Sequence, residues 1–205
     1  MTTAIRSGAR YNDQVFKELK LDAIQFEASE FVDSTFTACS FVETIFKKCR
    51  FVNCVFKRCD FSLSRIPGCS FINSSFGETK LIGVNWAQAD WSTMDLGKPV
   101  QFTKCALNHS TFIGLDLEGL QVLDCNAVNV DFREADLSHA DFSGSDLSES
   151  LFIHTNLSET DFSQALNYAI DPGLNNIKKA KFSLPEAMSL LYNMDIILPN
   201  GENGS

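Results

Sequence analysis

A large apolar side chain recurs at every fifth position along most of this 205-residue chain. The series runs from Phe16 to Leu96 without an exception, shifts by one residue near Gly97-Lys98-Pro99, and then runs from Phe102 to Phe162. An α-helix repeats every 3.6 residues and a β-strand every two, so neither keeps a five-residue series on one face over this length. The chain must therefore follow another regular backbone, whose unit is five residues long.

A second series, two positions before the first, is mostly small. Serine, threonine, alanine and cysteine dominate it, and all seven cysteines of the protein fall in it. The combined pattern is A(D/N)LxX, which is almost undiluted over 135–138 (ADLS) and 140–143 (ADFS). In these motifs the sequence resembles the pentapeptide-repeat superfamily, with matches from Phe16 to Phe162.

This resemblance implies an all-β solenoid, a right-handed quadrilateral β-helix in which four pentapeptides form one coil. The large residue and the small residue two positions before it then both point inward, and residues twenty apart stack. With about 4.8 Å between stacked strands, roughly thirty repeats would form a rod about 35 Å long. Neighbouring coils bury apolar surface that no single coil could bury alone.

The chain divides into four segments on this interpretation. Residues 1–15 are expected to cap the N-terminal end, and residues 16–166 to form the β-helix, with a one-residue register slip near 97–100. A C-terminal α-helical cap and dimerisation module is expected over 167–199, and a disordered tail over 200–205. Caps are needed because terminal coils expose unpaired strand edges.

Charge and hydropathy exclude two kinds of partner. The formal net charge of −9 argues against direct binding of nucleic acid, because phosphates are bound by broad basic surfaces. The N-terminal residues lack the apolar stretch of a signal peptide, and no run approaches the ~18 apolar residues of a membrane helix. We therefore expect a cytoplasmic protein that does not contact a membrane.

The cysteines allow three interpretations. A metal site is disfavoured because the C-x2-4-C spacing of zinc ligands is absent. Pairs twenty apart, such as Cys39 and Cys59, would stack near the separation at which a disulfide is feasible. A reducing cytosol and a column of small side chains favour free, buried thiols instead. We expect neither a metal nor a cofactor.

Motifs of catalysis are absent from the sequence. It contains no G-x-S-x-G, H-E-x-x-H or phosphate-binding loop. His109, His139 and His154 each follow a large residue by two positions, where the chain turns outward, so they are expected at the surface. Ser138 beside His139 has no supporting carboxylate and oxyanion donor, so it does not form a triad. We expect a protein that is not an enzyme.

The five-residue pattern ends after Phe162, and a helical pattern follows. Ser183 and Glu186 have the spacing of a capping box, with Pro185 in the first turn, and predict a helix of about ten residues. This apolar tail either folds back on its own last coil or joins two chains in a symmetric dimer, which we favour. The residues expected to carry dimerisation are Leu184, Leu190, Leu191, Met194, Ile196 and Ile197.

The negative charge is concentrated in the second half of the chain. Residues 1–100 carry eleven acidic and twelve basic residues, whereas residues 101–205 carry fifteen acidic and five basic residues. One explanation is solubility, because Asp is common before the central residue of this repeat. The other is a partner-binding band, formed by Asp116, Glu118, Asp131, Glu134, Asp136, Asp141, Asp146, Glu149 and Asp161. In a C-terminal dimer this band would lie at the centre of a DNA-sized rod and face a basic groove.

The tail that follows the repeats restricts the resemblance to one group within the superfamily. The solenoid with its helical tail resembles the topoisomerase-protecting group, which includes Qnr-type quinolone-resistance, mycobacterial fluoroquinolone-resistance, albicidin-resistance and microcin-immunity proteins. Residues 81–86 (LIGVNW) and 182–187 (FSLPEA) are most similar to the albicidin-resistance type. Because a single extra residue near 97–99 is the only interruption expected, the loop-free members of the group are the better comparison.

The resemblance implies DNA mimicry. Such a protein binds DNA gyrase, with topoisomerase IV as a further candidate, and shields it from poisons, which confers antibiotic or toxin resistance. The alternative is a structural or scaffolding solenoid that binds an unrelated protein.

Overall fold

A computed structural model describes residues 5–92, 99–194 and 196 of the chain. In this part of the chain the strands are two or three residues long. The first ten are β1 (Arg10–Asn12), β2 (Val15–Lys17), β3 (Gln25–Glu27), β4 (Glu30–Val32), β5 (Thr35–Thr37), β6 (Ile45–Lys47), β7 (Arg50–Val52), β8 (Val55–Lys57), β9 (Ser70–Ile72) and β10 (Ser75–Gly77). Then follow the 3-10 turn Trp86–Gln88, β11 (Gln101–Thr103), β12 (Gln121–Leu123), β13 (Asp161–Phe162), β14 (Lys181–Phe182) and the helix α1 (Met188–Tyr192). Among the described residues, no helix has the length and apolar character needed to cross a membrane.

Parallel pairing between residues twenty apart organises the chain into coils. β1 pairs with β4 in the register Arg10↔Glu30, and isolated bridges such as Asp116↔Asp136 keep the same spacing where no strand is formed. Four pentapeptides therefore complete one coil, and the solenoid has about eight turns. This confirms the all-β solenoid with four pentapeptides per coil.

The coil has four walls, which we number in chain order starting from the wall that contains β2. Wall 1 contains β2, β5, β8, β10, β11 and β12, and wall 4 contains β1, β4, β7 and β9. Wall 3 contains β3 and β6, and wall 2 is joined by single bridges such as Lys20↔Ser40. Each outward position of a wall thus forms a column along the rod.

The large residues of the five-residue series form the core. On wall 1, the Phe56 ring stacks on Phe36 and Phe76, with centroids 4.8 and 4.6 Å apart and interplanar angles of 11° and 9°. The Phe61 ring of the neighbouring wall meets Phe56 edge-on at 5.2 Å and 87°. Aromatic pairs favour both arrangements, so the Phe56 ring has suitable partners above, below and beside it.

The small series lies beside the corners, and most of its hydroxyl groups donate hydrogen bonds to carbonyls of the preceding coil. Ser74 Oγ donates to the Phe51 carbonyl at 3.4 Å, and Ser145 Oγ donates to the Val122 carbonyl at 2.7 Å. Thiols follow the same pattern, because Cys54 Sγ lies 3.4 Å from the Phe31 carbonyl oxygen. All seven cysteines are buried, free thiols. Burial raises the pKa of the Cys54 thiol to about 11, so this thiol stays protonated at neutral pH.

The corners use a backbone conformation that ordinary residues avoid. The residue two positions after the large one has a positive φ in nearly every repeat, for example 52° at Ala38 and 58° at His139. For a residue with a Cβ this left-handed conformation costs roughly 1–2 kcal/mol. The amide at the corner donates to the next coil, from Ala38 N to the Lys57 carbonyl and from His139 N to the Ser158 carbonyl, both at 2.9 Å. These hydrogen bonds offset part of the conformational cost, because each one pairs a backbone amide at a corner.

The interruption of the repeat is longer than the sequence indicates. β10 pairs with β11 in the register Phe76↔Phe102, a separation of 26 residues instead of twenty. The coil therefore contains six extra residues, and the expected one-residue slip is wrong. An insertion of six residues shifts a five-residue pattern by the same amount as an insertion of one residue. Periodicity alone therefore cannot distinguish the two insertions. Leu96, Gly97 and Lys98 lie outside the described residues.

Both ends of the solenoid extend further than predicted. Tyr11, inside the expected N-terminal cap, already stacks on Phe31 with centroids 5.1 Å apart. At the other end, the Phe182 ring stacks on Phe162 at 5.1 Å and 0°, and Asn175 takes a small-series position. The Asn175 amide donates to the Phe152 carbonyl at 2.8 Å, as a serine would. The coils thus continue past residue 166, because residues unlike the consensus still supply the contacts of the repeat.

The predicted capping box is not formed. α1 has five residues, and its N-cap is Ala187, which makes no side-chain capping hydrogen bond. Ser183 Oγ instead accepts a hydrogen bond from Gln164 N at 3.2 Å, which ties this hydroxyl to the preceding coil. The expected ten-residue helix is therefore wrong, and residues 197–199 and the expected tail over 200–205 lie outside the described residues.

We predict that Phe56→Ala lowers the free energy of unfolding by about 3–5 kcal/mol, because it removes a fully buried ring that is packed on all sides. Val15→Thr is the matched control: Val15 is 64% exposed, and Thr35 occupies the next place in its column. This change should stay within about 0.5 kcal/mol. Guanidinium unfolding followed by circular dichroism measures both, and equal effects would contradict the stacked core.

Candidate partner-binding surface

The acidic residues predicted to bind a partner all point outward, on every wall. Asp116, Glu118 and Asp136 lie on wall 4, Asp141 and Asp161 on wall 1, Asp146 on wall 2 and Asp131 on wall 3, while Glu134 and Glu149 lie at corners. None of them belongs to the buried core. The surface is therefore a band around the rod rather than a single pocket.

Most of the aspartates accept hydrogen bonds from the residue two positions later in the chain. Asp136 Oδ1 accepts hydrogen bonds from Ser138 N at 2.9 Å and from Ser138 Oγ at 2.7 Å. Asp141 and Asp146 accept from the backbone amides of Ser143 and Ser148 at 2.9 and 3.0 Å. The serine two positions after each of these three aspartates is thus part of the site. Sequence reasoning missed these serines, although the repeated D-x-S pattern is their signal.

Contacts with other side chains separate the aspartates into two groups. Arg133 binds Asp131 through two hydrogen bonds, from Nε at 2.9 Å and from a terminal nitrogen at 2.7 Å, and Lys181 Nζ lies 3.0 Å from Asp161 Oδ2. Asp136 instead receives the neutral amide of Asn156 at 3.0 Å. Arg133 and Lys181 offset the charge of their partners, whereas an amide leaves the charge of Asp136 in place.

The hydrogen bonds keep these carboxylates ionised. The Arg133 hydrogen bond lowers the pKa of Asp131. Burial alone would raise the pKa of Asp136, but the hydrogen bonds from Ser138 and Asn156 outweigh it, and the pKa is lowered. The same balance lowers the pKa of Asp146 and Asp161. Asp131, Asp136, Asp146 and Asp161 are therefore ionised at neutral pH.

His139 lies inside the acidic band. Its ring nitrogens are 3.9 Å from Glu118 Oε1 and 3.7 Å from Glu159 Oε2, and Lys179 Nζ is 3.1 Å from Glu159 Oε1. His109, His139 and His154 are all exposed at corners, where they were expected. Within residues 5–92, 99–194 and 196, no cluster of three or more His, Cys, Asp or Glu side chains could hold a metal ion.

Several described apolar side chains at the C-terminal end of the rod are exposed. Of the residues predicted to dimerise, Leu184 is 79% exposed, Met194 and Ile196 are exposed, and Leu190 packs against the core. Leu191 is half-buried, and Ile197 lies outside the described residues. Met188 and Tyr192 are also exposed here and were not predicted. Among the described residues, exposed apolar side chains therefore gather at this end of the rod.

A four-walled solenoid of stacked pentapeptides defines a repeat protein. The family model for the pentapeptide repeat region matches residues 29–100 and 96–162. The chain belongs to the pentapeptide-repeat family.

Solved structures with the same fold include forms of QnrB1, described as a plasmid-mediated fluoroquinolone resistance protein. Two trypsin-treated variants superpose with a TM-score of 0.65, at 16% identity over 95% of this chain and 93% of theirs, and at 18% over 90% and 99%. Full-length QnrB1 gives 0.50, at 20% identity over 89% and 100%. At this identity the similarity concerns the fold. No curated protein matches the chain.

We predict that the free energy of unfolding falls as the pH is lowered from 7 to 3. A carboxyl group whose pKa is lower in the folded protein stabilises it above the unfolded value of about 3.9, and this contribution is lost as the pH falls through the folded value. Asp136→Asn keeps an acceptor for Ser138 but does not titrate, so this variant should lose less stability. Urea unfolding at both pH values is the measurement, and an unchanged pH dependence would contradict the prediction.

Proposed function

We propose that this protein binds DNA gyrase as a DNA-shaped dimer and protects it from topoisomerase poisons, with topoisomerase IV as a second candidate partner. The observation that carries the proposal is a band of ionised aspartates around one half of a rod. The similarity in fold to QnrB1, a fluoroquinolone resistance protein, supports it. The motifs over 81–86 and 182–187 favour the albicidin-resistance type within this group.

The charge density of the band is close to that of DNA. One coil, residues 117–136, holds five acidic residues against Arg133, and the next two coils, 137–156 and 157–176, hold three acidic residues each and no Lys or Arg. With about 4.8 Å per coil, one net charge falls on each ~1.2–1.6 Å of the rod. Double-stranded DNA has one charge per ~1.7 Å. A basic groove that accepts DNA would attract this surface for the same physical reason.

The exposed apolar end supplies a way to lengthen the band. Joining two chains through Leu184 and its neighbours would place two acidic halves next to each other. It would also bury the apolar surface that each chain exposes alone. The less acidic halves would then form the two tips of the rod.

We predict that the triple variant Asp136→Asn, Asp141→Asn, Asp146→Asn weakens gyrase binding about tenfold or more, since it removes six charges per dimer, and that it loses drug protection. Asparagine preserves the turn, because Ser158 already uses Asn156 as its acceptor at 3.3 Å. The matched control is Glu18→Gln, Glu43→Gln, Glu78→Gln, which removes as many charges from exposed corners of the other half.

The assay is gyrase supercoiling and drug-trapped DNA cleavage, with a fluoroquinolone or albicidin, at increasing concentrations of each variant. Wild type and control should restore supercoiling and reduce trapped breaks, while the aspartate variant should do neither. Full protection by the aspartate variant would refute the role of the band. No effect of the wild type on gyrase would favour the scaffolding alternative.

We predict that Leu184→Asp converts the dimer to a monomer, because it places two like charges in the proposed interface. Leu63→Asp is the control, since Leu63 is 55% exposed at a corner of the other half. Light scattering distinguishes the 22.8 kDa chain from twice that mass. A monomeric wild type at micromolar concentration would overturn the proposed dimer.

A further inference from the structure

Wall 3 differs from the other walls in the acidic half. Its outward columns hold Thr111, Asp131 and Leu151 on one side and Ile113, Arg133 and Ile153 on the other. The two charged residues bind each other, so their charges offset one another within the wall. Ile113 and Leu151 are 37% and 41% exposed. On wall 3 the acidic band is therefore interrupted, because Arg133 offsets the charge of Asp131 and the residues around this pair are uncharged and mostly apolar.

This wall ends in a concave site beside the C-terminal segment. Leu151, Ile153 and Leu174 line a cavity of about 240 Å³, together with Asn193 just after α1. Leu174 is 46% exposed, so the two most exposed apolar residues of the site, Leu151 and Leu174, share one concavity. Single exposed leucines are ordinary, but apolar side chains gathered around a concavity mark a contact site.

Two carboxylates, Glu149 and Asp171, also line the cavity. Asp171 Oδ1 accepts a hydrogen bond from Gly173 N at 2.7 Å, which holds this carboxylate in place. Glu149 is exposed at the corner between walls 2 and 3. An apolar side chain that enters the cavity therefore has acidic groups close by, which favours lysine or arginine in the segment that carries it.

The volume of the cavity limits what can occupy it. Small-molecule sites usually measure about 300–1,000 Å³, so this cavity is too small for a ligand of that class. A single large side chain of a protein segment fits it better, and anchors of this kind dominate the energy of many protein interfaces.

We infer that the wall 3 cavity binds one large apolar side chain from a basic segment of the protein partner. This inference rests on the proposed function for the identity of that partner, DNA gyrase. The cavity then fixes how the rod is turned in the partner's groove, with wall 3 against the anchoring segment and walls 4, 1 and 2 against basic residues.

The test compares Leu151→Thr/Leu174→Ser with Leu166→Asn. Threonine already occupies the column of Leu151 at Thr111, and asparagine occupies the column of Leu166 at Asn126, so the changes at Leu151 and Leu166 suit the fold. Leu166 is 46% exposed, equal to Leu174, but lies on wall 2. The probe is a fluorescein-labelled pentapeptide with one phenylalanine between two pairs of lysines, and its charge-matched control has serine in place of the phenylalanine.

Fluorescence anisotropy should show that wild type and Leu166→Asn prefer the phenylalanine peptide to the serine peptide. The cavity variant should bind the phenylalanine peptide about tenfold more weakly, a change of about 1.4 kcal/mol, and lose the preference. Equal binding of both peptides by wild type, or an equal loss in Leu166→Asn, would overturn the inference.

Three further measurements distinguish this inference from the proposed function and from other occupants of the cavity. If wild type prefers the phenylalanine peptide but does not bind gyrase, the cavity stands and the proposed function fails. If the cavity variant changes the mass in light scattering, a second copy of the chain occupies the cavity, and the inference is overturned. The third measurement uses a chain that lacks residues 197–205. If this deletion strengthens binding of the phenylalanine peptide, and adding the cavity substitutions to it does not weaken that binding, the tail and the peptide share a site other than the cavity. The inference is then overturned.

Discussion

The parallel register of twenty residues is the constraint on which the rest of the structure depends. It is set by backbone hydrogen bonds between coils and by the stacking of inward rings, such as Phe36, Phe56 and Phe76. Once the register is set, every outward residue belongs to a column with neighbours about 4.8 Å away. The surface chemistry is then a matter of which side chains share a column. On wall 4, for example, Asp136 is followed by Asn156 and Asn176, whose amides each donate to the coil before.

Much of the fold could be predicted because the five-residue series maps directly onto inward positions. Positions whose residue size departs from this series were harder to predict. Ala127 is the one small residue of the large series after the interruption, yet it is fully buried, and Leu120 and Val130 of the same coil place larger side chains in the small series. Volume is thus conserved over a coil rather than at each position. A sequence pattern that treats each position separately does not detect that a small residue at one position is compensated by larger residues at others in the same coil.

The candidate surface was predictable in composition but not in arrangement. The sequence indicates where Asp residues cluster, and all of them do point outward. It does not show that Asp131 is paired with Arg133 on the same wall, because the pairing depends on two side chains leaving one wall in the same direction. It also does not show that the coils continue to Phe182, since Tyr168 and Asn175 replace consensus residues while making equivalent contacts. Residue identity predicts charge, whereas neighbours in space decide whether the charge is offset.

The longer coil between Phe76 and Phe102 has a consequence for the orientation of the two halves. The six additional residues return the chain to wall 1, so the columns before and after them stay aligned. Had five of these residues formed a further pentapeptide of the coil, every later column would have moved to the next wall, a quarter-turn around the rod. The length of this one segment therefore sets how far one half is rotated relative to the other about the long axis of the rod. It determines which basic columns of the first half lie in line with each acidic wall of the second.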